Sequence, residues 1–242
     1  MRRFDRGGYL GLHLTVGIMV SLAALWLFAG VTEDIIHHDP VTRADTGLLN
    51  WFHQHPSAFG NRIFEAFGWV ASPTVIISLA VLVFLFLLIR QDKLLASAWL
   101  ATLLGSGIVD AAVKHIVQRP RPNHMDVFSY GPANSFPSGH ALGALTCYGM
   151  LAYLLAVFWA KDWRARTAIV AAAVLLVTAV GFSRIYLGVH YFSDVIAGYA
   201  AGLVWLSVCI TGVEIVRRKP KTSGSHLDDA DDARGQRSPS LS

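Results

Sequence analysis

The chain has 242 residues, of which 54% are hydrophobic and only 15% charged. Soluble domains carry roughly 25% charged residues. Together with a mean hydropathy of +0.47, the long uncharged runs exclude an ordinary water-soluble globule and point to membrane spans. The net charge of +4 does not signal nucleic acid: the basic residues flank apolar runs and form no stripe, so no nucleic-acid partner is expected.

Six segments reach the roughly 20 apolar residues a bilayer crossing needs: about Tyr9–Val31, Phe67–Ile89, Leu94–Val117, Ala141–Ala160, Thr167–Tyr186 and Val195–Val216. The first follows Arg2, Arg3 and Arg6, as a secretory signal would. Its apolar run exceeds the roughly 7–15 residues of a signal core, and no small-x-small cleavage site follows, so an uncleaved helix is expected after a short N-terminus, residues 1–8. Between the first two segments, Thr32 to Ala66 repeats apolar residues at helical spacing (Ile35, Ile36, Leu48, Leu49, Trp51, Phe52, Phe59, Ile63, Phe64). This reads as one or two amphipathic helices at the interface, either a plug on the bundle or a lid over a site. The two cysteines, Cys147 and Cys209, lie inside apolar runs and read as packing residues.

Lys219 to Ser242 is polar and low in apolar content, which predicts a disordered tail; its acidic run Asp228, Asp229, Asp231 and Asp232 reads as solvated, not as a metal site. The expected fold is therefore all-α: a polytopic membrane protein with six transmembrane helices over residues 9–218 and interfacial helices in its first outer loop. Basic residues cluster at one set of flanks: Arg2, Arg3, Arg6; Arg90, Lys93; Lys161, Arg164, Arg166; Arg217, Arg218, Lys219, Lys221. This bias puts both termini in the cytoplasm, and the motif-bearing ends of the last four segments on the other face.

Those ends carry three motifs: Lys114-x6-Arg121-Pro122, Pro137-Ser138-Gly139-His140, and Ser183-Arg184-x5-His190-x3-Asp194. Ionisable groups are costly in lipid, so their clustering suggests a site. Lys114, Arg121 and Arg184 match the nearly two negative charges of a phosphate monoester, and an arginine fork bonds two oxygens at once. Pro120 and Pro122 stop the third segment and bend the chain, bringing Lys114 and Arg121 to one locus. Ser138 caps the fourth segment, and the N–H groups behind it form an anion site that Gly139 lets the backbone approach; capping alone would also explain the serine. His190 and Asp194, at i and i+4, share one helix face. The carboxylate can fix the imidazole tautomer and leave the other nitrogen to attack phosphorus, or the pair can be a local hydrogen bond. His140 is placed to protonate the leaving oxygen, and two imidazoles in opposite protonation states predict a bell-shaped rate profile near neutral pH.

This ordered set resembles the signature of the type 2 phosphatidic acid phosphatase (PAP2) superfamily, in particular its bacterial membrane lipid phosphatases. It is also similar to vanadium haloperoxidases and class A acid phosphatases. All specified positions match, and the likeness covers roughly residues 94–216. The resemblance implies His190 as the nucleophile that forms a phosphohistidine, Asp194 as its orienting partner and His140 as the acid. It also implies Lys114, Arg121, Ser138, Gly139 and Arg184 as the phosphate holders, and no metal or cofactor. The expected substrate is a membrane lipid phosphate or diphosphate: undecaprenyl diphosphate (favoured by analogy), phosphatidic acid or phosphatidylglycerol phosphate. Rival readings are a phosphotransferase using the same site, a haloperoxidase, and a non-catalytic lipid transporter or scaffold.

Among the remaining polar residues, Asp110 precedes Lys114 by four and is expected to pair with it. Arg119, His115 and His124 lie near the motifs and are expected to tune substrate choice. His13 and Glu214 read as interfacial. His37, His38, His53 and His55 have no carboxylate or thiolate at ligand spacing and read as loop residues, not zinc ligands.

Overall fold

The computed structural model describes residues 6–37, 40–55, 57–122 and 134–218. The expectations for residues 1–5, His38, His124 and the tail from Lys219 lie outside the described residues. In chain order the helices are α1 Arg6–His37, α2 Pro40–Gln54, α3 Ala58–Val70, α4 Pro73–Ile89, α5 Lys93–Val117, α6 Gly139–Phe158, α7 Trp163–Tyr186 and α8 Phe192–Arg218. Among the described residues, five helices are long and apolar enough to cross a membrane, and the bent pair α3–α4 makes a sixth crossing if taken as one span.

Helix starts follow from local chemistry. Ser57, Ser72, Asp92, Ser138 and Asp162 each accept a backbone N–H of the first turn, filling donors that have no partner inside the helix. The expected span Phe67–Ile89 is broken where this chemistry intervenes. Ser72 is extended (φ −66°, ψ 153°) before Pro73, because a residue preceding proline is driven out of the helical region. The chain turns there by 40°, and α3 becomes a separate helix.

Large side chains on the outer wall, such as Trp26 and Ile89, are 80% exposed; this apolar girdle suits lipid and not water. Inside, Leu87, Leu95, Trp99, Met150, Leu206 and Val213 form the main core, where the Trp99 indole N–H donates to the Ala80 carbonyl at 3.0 Å. Cys147 and Cys209 are free thiols packed within helices, as expected. Without a hydrophobic drive between helices in lipid, close approach through small residues holds them together. At Gly198 of α8, an added Cβ would stand 2.7 Å from the Ser138 carbonyl of α6.

The helices alternate in direction, so the C-termini of α5 and α7 and the N-termini of α6 and α8 gather at one end. Over this end lie α2 and α3. Phe52 packs its ring on Phe182 and Tyr186 of α7, and Phe64 does the same. The amphipathic outer segment is thus docked on the bundle.

Substituting Gly198→Ala should lower the unfolding temperature in detergent, by overpacking worth ~1–3 kcal/mol. Gly212→Ala, on the same helix with open space around it, should leave it unchanged or raise it slightly, as helix propensity favours alanine.

Candidate active site

The first motif is shaped by the end of α5. Gln118 takes the left-handed conformation (φ 50°) and donates its N–H to the Lys114 carbonyl at 3.2 Å, and Asn134 Nδ2 donates to the same carbonyl at 3.0 Å. Residues 119–120 then run antiparallel to 134–135, with the Ser135 N–H on the Arg119 carbonyl at 2.8 Å. Lys114 Nζ lies 2.7 and 2.6 Å from the two oxygens of Asp110, the expected structural pair. Arg121 Nη1 donates to the Val189 carbonyl at 3.2 Å, in the turn between α7 and α8.

Ser138 is fully buried. Its Oγ accepts the Ala141 N–H at 3.5 Å and its own N–H donates to the Asp194 carbonyl at 2.9 Å, which fastens the N-terminus of α6 to that of α8. Gly139 presses on the Lys114–Asp110 pair: a Cβ there would sit 3.1 Å from both Lys114 Nζ and Asp110 Oδ1. The third motif straddles a tight turn. Val189 and His190 both donate backbone N–H to the Arg184 carbonyl, at 3.0 and 3.2 Å, and Gly188 supplies the positive φ of 69° that the reversal requires.

A single cavity of about 760 Å³ is lined by Lys114, Arg121, Gly139, His140, Arg184 and His190. Ser138 and Asp194 are buried behind its wall. All eight residues singled out in the sequence are therefore brought together, although they come from four helix ends. Lys114, Arg121, Arg184 and His190 all stand within electrostatic range of His140. The rest of the cavity wall is largely apolar, including Trp69, Ile76, Ile77, Leu103 and Leu142.

His190 Nδ1 is 3.5 Å from Asp194 Oδ2, adjacent but longer than a well-formed hydrogen bond. This orientation leaves Nε2 on the opposite side of the ring. Burial pushes the His190 imidazole below its ordinary value near 6.5, ahead of the opposing pull of Asp194; Arg121 and Lys114 push the same way as burial. The Asp194 carboxylate is held mainly by other groups. Oδ2 accepts the Tyr191 N–H at 3.0 Å, and Oδ1 accepts from Arg119 Nη1 at 2.7 Å.

Arg119 thus departs from its expected role in substrate choice. It is 8% exposed, lies behind the cavity, and joins Asp194 to Asp45 of α2 at 2.9 Å. Asp45 and Ser193 belong to no sequence motif. A signal for Asp45 was present: it shares one helical face with Leu48, Leu49 and Phe52, and a carboxylate on an apolar face calls for a buried partner. Gly68 of α3 likewise lies outside the motifs. An added Cβ there would fall 1.6 Å from Arg184 Nη2, so the guanidinium occupies the space that a side chain would need. Glu214, expected at the interface, accepts from the Tyr153 hydroxyl at 2.7 Å at the far end of the bundle.

What the fold and this cavity define is an integral membrane protein with a cationic, two-imidazole pocket suited to a phosphate ester. Comparison with known proteins agrees. The sequence pattern of the PAP2 superfamily matches residues 94–218. Phosphatidylglycerophosphatase B of Bacillus subtilis (strain 168) is 25% identical over 189 residues, which is 77% of this chain and 91% of that protein. The lipid A 1-phosphatase of Rhizobium johnstonii is 34% identical over 125 residues, 48% of this chain and 46% of its own length, so the chain spans about half of that relative. The crystal structure of the first transmembrane PAP2 type phosphatidylglycerolphosphate phosphatase from Bacillus subtilis shares the fold, with a TM-score of 0.73 at 22% identity over 84% of this chain and 98% of that one. The chain belongs to the PAP2 superfamily and is a phosphoric ester hydrolase.

Because Arg184 rests on Gly68, Gly68→Ala should weaken inhibition by vanadate, a phosphate mimic, by about tenfold or more, the scale of one charge-assisted hydrogen bond. Gly47→Ala, which meets open space, should leave the inhibition constant unchanged.

Proposed function

We propose that the chain is a lipid phosphatase that releases inorganic phosphate from a membrane lipid through a phosphohistidine on His190. The observation that carries this reading is the shared cavity, where three cations and two imidazoles face a wall that is otherwise largely apolar, with Asp110 and Glu65 as its carboxylates. Lys114, Arg121 and Arg184 hold the phosphate oxygens, with the N–H groups that Ser138 and Gly139 present at the start of α6. Nε2 of neutral His190 forms a bond to phosphorus as the bond to the lipid oxygen breaks, and His140 gives that oxygen its proton. Water then attacks phosphorus and yields a proton to His140, and the phosphorus–nitrogen bond breaks to free phosphate and the neutral imidazole. Asp194 keeps the ring oriented and offsets the charge that appears on it.

Apolar walls at Ile76, Ile77, Leu103 and Leu142 suit the start of a lipid tail. Phosphatidylglycerol phosphate is the first substrate to test, since the relative spanning most of the chain carries that activity in its name; phosphatidic acid and undecaprenyl diphosphate follow. Arg90, Lys93, Lys161, Arg164, Arg166 and Arg217 all lie at the end of the bundle away from the cavity. The bias of basic residues therefore favours an orientation with both termini in the cytoplasm and the cavity on the opposite face, which is the periplasmic side of a bacterial inner membrane, the setting that its bacterial relatives suggest.

With purified protein in detergent and a panel of these lipids, His190→Ala should abolish phosphate release, whereas Arg90→Ala, a helix cap far from the cavity, should keep it within about twofold. In ¹⁸O-labelled water the label should appear in the phosphate; transfer to a second lipid would show a phosphotransferase. Activity should survive EDTA, and a loss that Mg²⁺ restores would overturn the metal-free chemistry.

The nucleophile is the neutral imidazole, and its buried environment lowers its proton affinity. The acid limb of kcat/KM should therefore lie below pH 6.5, and a limb at or above that value would count against His190. The same shift makes acid destabilising: the unfolded imidazole takes up its proton near pH 6.5 and the folded one only lower, so folding stability falls as pH drops through that value.

A further inference from the structure

The most heavily buried charge cluster outside the cavity wall links the outer segment to the catalytic dyad. Arg119 Nη1 donates to Asp194 Oδ1 at 2.7 Å and to Ser193 Oγ at 2.8 Å, and Nη2 donates to Asp45 Oδ2 at 2.9 Å. Asp45 also accepts the Ser193 N–H at 3.0 Å and, through a short contact, the Ser193 hydroxyl. Arg119 lies over the Tyr191 ring, 4.1 Å from its centroid. Exposures are 2% for Asp45, 8% for Arg119, 2% for Ser193 and none for Asp194.

Such a cluster does more than attach a helix. Two buried carboxylates around a single guanidinium leave one negative charge in excess, next to the imidazole that must gain positive charge on attacking phosphorus. Arg119 occupies Oδ1 of Asp194, so Oδ2 is the oxygen presented to His190, and the Tyr191 N–H fixes its height. Asp45 holds the other arm of the fork. Losing Asp45 releases that arm while Arg119 stays paired with Asp194, so the angle at which the fork holds the Asp194 carboxylate is no longer fixed from both sides. Asp45 is 148 residues away from Ser193 in sequence, so this geometry exists only while α2 is docked.

We propose that Asp45, Arg119 and Ser193 form a positioning clamp that sets the Asp194–His190 dyad, which makes α2 part of the catalytic assembly and not simply a cover over it. The clamp rests on the reading of His190 as nucleophile. It requires no contact between Asp45 or Arg119 and the substrate, so its loss affects the chemical step and not the hold on phosphate.

Asp45→Asn is the leading test, because it removes the surplus carboxylate and leaves Arg119 paired with Asp194, so the protein should fold. Ser193→Ala is the second variant and leaves every charge in place. With a lipid phosphate in detergent, kcat should fall about tenfold in Asp45→Asn and severalfold in Ser193→Ala, while KM and the vanadate inhibition constant stay within about threefold. Trapped phosphohistidine, read by ³¹P NMR after an acid-free quench, should form more slowly in both. Wild-type kcat in either folded variant overturns the clamp. So does a loss of vanadate binding in proportion to kcat, which would mean a collapsed site. His190→Ala, run alongside, separates the two ideas: if it is inactive while the clamp variants are normal, only the clamp falls; if it still turns over, the reading beneath falls and takes the clamp with it.

Discussion

Like charges do not gather in an apolar protein unless something holds them, and three cations facing one cavity are the constraint around which this molecule is built. Lys114, Arg121 and Arg184 would repel one another across a pocket whose walls screen poorly. Asp110 sits against Lys114, and Val189 and Ser183 supply oxygens to Arg121 and Arg184. Charges at mid-membrane cost several kcal/mol each, so only helix ends can carry them, and this is where all of them lie.

That placement dictates the topology around the site. Four helix ends have to meet, two offering cations near their C-termini and two offering N-termini with free N–H groups. The bond from the Ser138 N–H to the Asp194 carbonyl welds the two N-termini together, and Gly198 removes the side chain that would hold them apart. Ser138 therefore both caps a helix and joins two motifs.

The docked outer segment is as much a part of this construction as the spans. Phe52 and Phe64 seat it on α7, Gly68 lets the Arg184 guanidinium lie against α3, and Asp45 reaches through to Arg119. Membership of the PAP2 superfamily accounts for the three motifs. It does not account for these supports, which come from residues before position 94, outside the matched stretch.

An all-helical membrane chain, its apolar segments and the eight residues that gather at or just behind the cavity wall are legible in the residue pattern alone, because hydrophobic run length and ordered polar motifs at segment ends are local properties. The pairing of Asp110 with Lys114 was legible for the same reason, as two residues one helical turn apart. The break at Ser72–Pro73 was legible in principle, but a long apolar run outweighed the proline. The roles of Arg119, Asp45, Ser193 and Gly68 are not legible in the sequence, since they depend on partners far away in it: Asp45 is ordinary until α2 folds back on α8, and Gly68 is unremarkable until an arginine lies on it. Composition and spacing decide which groups a chain can offer; only the packed tertiary structure decides which buried charge faces which, because that depends on where distant helices meet and on the desolvation that makes an unpartnered charge intolerable there.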